Sequence, residues 1–278
     1  MNDPELYIKC TAMSQAAAIH CLDEYANKTN WKENGDTFID LGCGDGSVTQ
    51  TIKKYITPKY TKFVGCDISE NMVKFASDRD KDERTTYRVF NIDGELPFEL
   101  KDNFNHVFSF FTLQWMRNED KAFRNIYDML TEGGDCLLSL LGYTPIYHLF
   151  DKIGRTSKWS SSWLKDLSRY IPPYYNMENV EAKMTKMMKA IGFTDVEVKN
   201  DKIAYVMDNG MELRNTIKAV EPYDMPKEVF EDFMQDCLVA GQDIGLLEPT
   251  ANSIEHYNKK IEYNYNLIVI YAKKPRKI

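Results

Sequence analysis

Between Phe38 and Ser47 the chain reads FIDLGCGDGS, an apolar run that enters three alternating glycines and leaves them as a helix. Repeated, a strand–turn–helix unit gives a parallel sheet with helices on both faces, and this sequence repeats it. Strands are expected at 37–41, 62–68, 86–93, 106–112 and 135–141. A helix is expected at 47–56, and another after Ser69, which has the N-cap position with Glu70 in the first turn. A third covers 118–130, with Gly133 and Gly134 expected to end it. Residues 4–28 read as helical and precede the repeating unit.

The rhythm breaks after 141. Residues 143–175 are rich in aromatics, Ser and Pro, followed by a helix at 180–191 closed by Gly192. A strand near 195–199 runs on toward Met207, an amphipathic helix covers 226–238, and 263–272 closes as a strand. A chain of 278 residues suits one α/β domain with insertions. A net charge of −7 argues against a nucleic-acid partner. Six scattered cysteines with no C-x-x-C pair argue against both a disulfide framework and a metal site, so no metal is expected. Neither a signal peptide nor a bilayer-spanning run is visible. A cytoplasmic enzyme is the expectation.

Strand–glycine–helix turns serve NAD, FAD and S-adenosylmethionine alike. Here the spacing is Gly42-x-Gly44-x-Gly46, whereas the dinucleotide fingerprint needs its third glycine one residue later, where this chain has Ser47. Asp67 ends the second strand 21 residues beyond Gly46, the place of a ribose-binding carboxylate in either case. Asp40, two residues before Gly42, is of no use to an anionic pyrophosphate but suits a cationic amino group and sulfonium. Asp93, beside Ile92, follows the third strand, where it can accept from an adenine amino group. The fourth strand leaves as SFFTLQW, from Ser109 to Trp115, at the carboxyl edge of the sheet.

Together these features resemble the class I S-adenosylmethionine-dependent methyltransferases. The segments CLDEYANK, IDLGCGDGSVT, VGCDISENMVK, HVFSFFTLQW, KAFRNI and GDCLLSLLGYTPI, with LY near the start, resemble insect juvenile hormone acid methyltransferases over most of the chain. That resemblance implies a Rossmann-like, doubly wound, mostly parallel seven-stranded sheet with one antiparallel strand. It implies a single methyltransferase domain over 1–278, with N-terminal helices at 1–30, a cofactor-binding core at 37–141 and helical lid insertions at 143–191 and 207–260. The implied cofactor is S-adenosyl-L-methionine, held by Asp40, Gly42, Gly44, Asp67, Ile68, Ile92, Asp93 and Ser109. The implied acceptor is an apolar carboxylic acid, juvenile hormone acid or farnesoic acid, held at Gln15, Gln114 and Trp115 through neutral donors. No nucleic acid and no membrane span is implied, and a homodimer is the one assembly left open.

Two departures stand out. Relatives read T-L-H-W where this chain reads Thr112-Leu113-Gln114-Trp115, and carry a Gln in the first helix where this chain has Ser14, with Gln15 beside it. They leave a second reading: a paralogue that methylates other fatty or small carboxylic acids, or binds terpenoid acids without turnover. A PPY at 172–174 lies outside the acceptor position of N-P-P-Y enzymes and reads as a proline-rich turn.

Overall fold

In the computed structural model, which describes residues 3–277 except 30, 33, 57, 168–170 and 222, the strands are β1 (Thr37–Leu41), β2 (Lys62–Asp67), β3 (Thr85–Val89), β4 (Phe104–Phe110), β5 (Leu130–Leu141), β6 (Thr194–Met207) and β7 (Ile261–Lys273). They form one sheet in the order 3-2-1-4-5-7-6. The pairs β1–β2, β1–β4, β2–β3 and β4–β5 are parallel. Against β5, β7 runs antiparallel: at one end the Gly133 N–H donates to the Lys274 carbonyl and the Lys274 N–H to the Gly134 carbonyl, and at the other the Gly142 N–H donates to Asn266 and the Asn266 N–H to Tyr143. The sheet expected from the sequence is the one that forms.

Continuous apolar strands form its centre because they are buried on both faces. Phe38, Ile39 and Leu41 of β1 are fully buried, as are Phe104, Val107 and Phe108 of β4. Across neighbouring strands Phe38 stacks on Phe63 at 5.9 Å and on the His106 ring at 4.9 Å. Such cross-strand ring pairs add to burial and fix the register.

Several expected boundaries differ, and two have a visible cause. Strand β3 ends at Val89, and the chain then turns, with the Gly94 N–H bonded to the Asn91 carbonyl. Helix α5 (Glu119–Met129) is capped by Asn118, which the sequence had placed inside the helix, and Gly133 and Gly134 do not end it. Its last carbonyls, of Asp128 and Met129, accept from the N–H groups of Asp102 and Asn103 instead. Leu130 is already extended. The glycines fall in a bulge of β5, where the register passes from Phe104↔Leu130 to His106↔Asp135 and Gly133 takes φ +79°.

The chain divides into two compact units. One holds the residues up to 140, 178–201 and those from 267 on. It contains α1 (Pro4–Tyr7), α2 (Ala12–Tyr25), α3 (Ser47–Lys53), α4 (Glu70–Arg79), α5 and α8 (Val180–Ile191). Helix α8, which the sequence grouped with the first insertion, packs on α5 and buries Val180, Met184 and Met188. The other unit holds 141–177 and 202–266, with α6 (Pro145–Gly154), α7 (Ser157–Ser160), α9 (Gly210–Val220) and α10 (Lys227–Asp243). Its aromatics form a core of their own: Phe233 lies 5.5 Å from Phe150 and 5.2 Å from Trp159. The Trp159 indole N–H donates to Asp236 at 2.5 Å. The PPY segment is a turn, with Tyr174 buried.

Candidate active site

The glycine turn joins β1 to α3. Gly42, Gly44 and Gly46 have φ of +77°, +53° and +82°, a region that L side chains rarely enter. A Cβ on Gly42 would lie 2.1–2.5 Å from the Thr112 side chain, whose hydroxyl donates to the Gly42 carbonyl. The turn is therefore glycine for two reasons, its own conformation and the segment after β4 packed against it.

Asp67 organises the turn from β2. One carboxylate oxygen accepts from the Gly44 N–H at 3.0 Å and the other from the Ser69 N–H at 2.8 Å. Burial pushes its pKa up, and those two backbone donors hold it back. Asp40 is fully buried at the end of β1 and accepts from the Thr49 hydroxyl at 2.6 Å. Burial lifts its pKa to about 7, opposed by Thr49 and assisted by the charge of Asp67. Asp45 lies in the same turn, so three carboxylates surround it.

Tyr7, from α1, was not singled out by the sequence. Its ring comes within 3.3 Å of where a Gly44 Cβ would stand. Burial, then the neighbouring Asp45 and Asp67, keep its phenol protonated. The only sequence signal was its place in the LY dipeptide; its partner in the fold is 37 residues away.

The remaining expected residues are distributed as follows. Ile68, next to Asp67, presents a bare apolar side chain that is 69% exposed, a surface on which a base can pack. Ile92 is buried, and its carbonyl accepts from Asn125 at 2.8 Å. One oxygen of Asp93 accepts from the N–H groups of Arg117 and Asn118, tying the loop after β3 to the start of α5. The Ser109 hydroxyl, fully buried, donates to the Leu41 carbonyl inside the sheet. Thus Asp40, Gly42, Gly44 and Asp67 converge on the turn, whereas Ser109 is engaged with a neighbouring strand.

After β4, Phe111 takes φ +54° and a 3₁₀ turn, Leu113–Trp115, follows. Gln114 is buried, and its side-chain N–H donates to the Phe111 carbonyl at 2.7 Å. Trp115 is half-buried. On α2, Ser14 faces inward with its hydroxyl on the Thr11 carbonyl, and Gln15 next to it is half-buried.

These residues fit S-adenosylmethionine. The turn has no room for side chains, its carboxylates favour a cation over a pyrophosphate, and Asp67 with Ile68 offers acceptors and an apolar face to an adenosine. Residues 39–136, from β1 into β5, match the family model of a methyltransferase domain. The juvenile hormone acid O-methyltransferase of Bombyx mori is 42% identical over 274 residues, covering 99% of this chain and 98% of its own. That of Drosophila melanogaster is 32% identical over 282 residues, covering 99% and 93%. The solved structure of Haemonchus contortus phosphoethanolamine N-methyltransferase 2 with S-adenosyl-L-methionine gives a TM-score of 0.55 at 20% identity. It covers 94% of this chain and 53% of that one, a likeness of fold.

Proposed function

The chain belongs to the juvenile hormone acid O-methyltransferase family, and from that premise we propose that it methylates the carboxylate of juvenile hormone acid or farnesoic acid with S-adenosylmethionine. The observation that carries this reading is the 42% identity to the Bombyx protein over nearly the whole chain, together with a glycine turn ringed by carboxylates.

The bound cofactor supplies an electrophilic methyl group on a sulfonium. Asp67 would take the ribose hydroxyls, Ile68 and Ile92 would flank the adenine, and Asp93 would accept from its amino group. Asp40 supplies negative charge beneath the turn. A carboxylic acid with a pKa of about 4–5 is ionised at neutral pH and needs no general base. Its oxygen would accept the methyl group that the sulfonium supplies, and no proton need move. The protein's work is orientation, for which effective molarities reach about 10⁵ M or more. Trp115 and Gln15 are assigned to the acceptor carboxylate as neutral donors. Gln114, on the same turn as Trp115, has an N–H committed to Phe111.

Purified protein incubated with methyl-labelled S-adenosylmethionine and farnesoic or juvenile hormone acid should yield extractable labelled methyl ester. No ester, with cofactor binding intact by calorimetry, would leave a terpenoid-acid binding protein instead.

Asp40 gives this reading a pH signature. A carboxyl with a pKa of about 7 in the free protein is ionised above that value and neutral below it. A cationic ligand binds the ionised form better, so cofactor affinity should fall by about tenfold per pH unit at most as the pH drops below 7. Calorimetric titrations across this range should show that fall in the wild type and a flatter profile in Asp40→Asn.

A further inference from the structure

Gln114 carries a polar atom that the fold leaves unanswered. The residue is 6% exposed, and its side-chain Oε1 is buried with no hydrogen-bond partner among the described residues. Its orientation is set by the chain itself. The Phe111 carbonyl, turned by a left-handed backbone, can receive only an N–H, so it fixes the amide nitrogen toward Phe111 and the oxygen the other way. A buried acceptor with nothing donating to it is costly, and its presence points to a donor that arrives with a ligand.

A carboxylate acceptor is the wrong partner. It offers only lone pairs, and a bare amide oxygen would repel it. The cofactor's α-ammonium group has three N–H donors and a positive charge. The segment carrying Gln114 is also tied to the cofactor turn, because Thr112 Oγ1 donates to the Gly42 carbonyl at 3.2 Å and its side chain fills the space over Gly42.

We propose that Gln114 binds the cofactor rather than the acceptor: its Oε1 accepts a hydrogen bond from the α-ammonium of S-adenosylmethionine, while its N–H holds the Phe111 carbonyl. This rests on the S-adenosylmethionine reading given above. It divides the post-β4 turn into a cofactor residue, Gln114, and an acceptor residue, Trp115.

The test compares two nucleosides by calorimetry. S-adenosylhomocysteine carries the α-ammonium, and 5′-methylthioadenosine lacks the whole amino-acid arm. Gln114→Met keeps the shape and removes both polar atoms. It should weaken S-adenosylhomocysteine by about 10- to 100-fold, the range for a hydrogen bond to a charged group, and leave 5′-methylthioadenosine unchanged. Gln114→His can give an N–H to Phe111 and a bare ring nitrogen to the ligand. It should retain S-adenosylhomocysteine binding at alkaline pH and lose it, relative to wild type, as the ring protonates below about pH 6.5.

Unchanged S-adenosylhomocysteine affinity in Gln114→Met would overturn the proposal, as would equal losses for both nucleosides, which would mark a purely structural role for the turn. A raised KM for the acid with cofactor affinity intact would return Gln114 to the acceptor. Failure of the wild type to bind either nucleoside would overturn the cofactor reading and this proposal with it. Absence of ester with both nucleosides bound touches only the identity of the acceptor.

Discussion

Asp67→Ala should weaken S-adenosylmethionine binding by about 100-fold or more, since two ribose hydrogen bonds to a charged acceptor are worth roughly 3 kcal/mol together. The loss has a second source in the free protein. Asp67 is also the acceptor for the N–H groups of Gly44 and Ser69, so its removal frees the glycine turn and the entry to α4 together. Asp67→Asn separates the two contributions. Its amide oxygen can still take one backbone N–H, but its charge is gone and its nitrogen cannot accept from a ribose. It should bind the cofactor with intermediate affinity and melt closer to the wild type than Asp67→Ala does. Calorimetry gives the affinities, and thermal unfolding shows that each variant is folded. Normal binding by Asp67→Ala would mean that the ribose lies elsewhere.

The sheet and the place of Asp67 at the end of its strand were legible in the sequence because both are local. Strand–turn–helix units, the acids that end strands, and the N-cap at Ser69 are written within a few residues of where they act. What was not legible depends on contacts distant in sequence. Nothing around Tyr7 says that its ring lies on Gly44, and nothing around Ser109 says that its hydroxyl is engaged by Leu41 rather than turned to a ligand. Gln114 looked like a donor for a carboxylate because its residue type allows it. Nothing in the sequence says that a left-handed Phe111 turns its carbonyl toward that amide. The glycine pair at 133–134 misled in the same way. A helix can end without a glycine when another segment, here residues 102 and 103, satisfies its last carbonyls.

His106 illustrates the same limit and carries the second large effect. In the sequence it opens an apolar run, HVFSFF, and reads as one more strand residue. In the fold it is buried at 3% exposure, with Nδ1 2.8 Å from Asp135 and Nε2 3.3 Å from Asp36. Trp31 packs against the ring at 4.8 Å, tilted by 56°, and Phe38 stacks on it at 4.9 Å. Burial alone would lower the imidazole pKa, but its bonds with Asp135 and Asp36 outweigh that and leave it above 6.5. Asp36 is likewise pushed up by burial and carried below its ordinary value by His106 and the Lys32 N–H.

His106→Leu would take the cation from buried Asp135 and leave buried Asp36 with the Lys32 ammonium at 3.4 Å alone, a change that costs about 3–5 kcal/mol where a buried ion pair is broken from one side. The pH dependence has a definite sign. A histidine whose folded pKa is raised contributes its full stabilisation below about 6.5 and loses it as the pH climbs through the folded value. Asp36, with its folded pKa lowered, contributes above the ordinary carboxylate range and loses its contribution as the pH falls through the folded value. Wild-type stability from this cluster should therefore be greatest between about pH 4 and 6.5 and decline on the alkaline side. Denaturant unfolding at several pH values should show the gap between wild type and His106→Leu narrowing as the pH climbs above about 6.5. A gap that stays constant would mean that the ring acts through packing alone. Cofactor affinity in folded His106→Leu should match the wild type, because His106 pairs with Phe38 at the opposite end of β1 from Asp40 and the glycine turn.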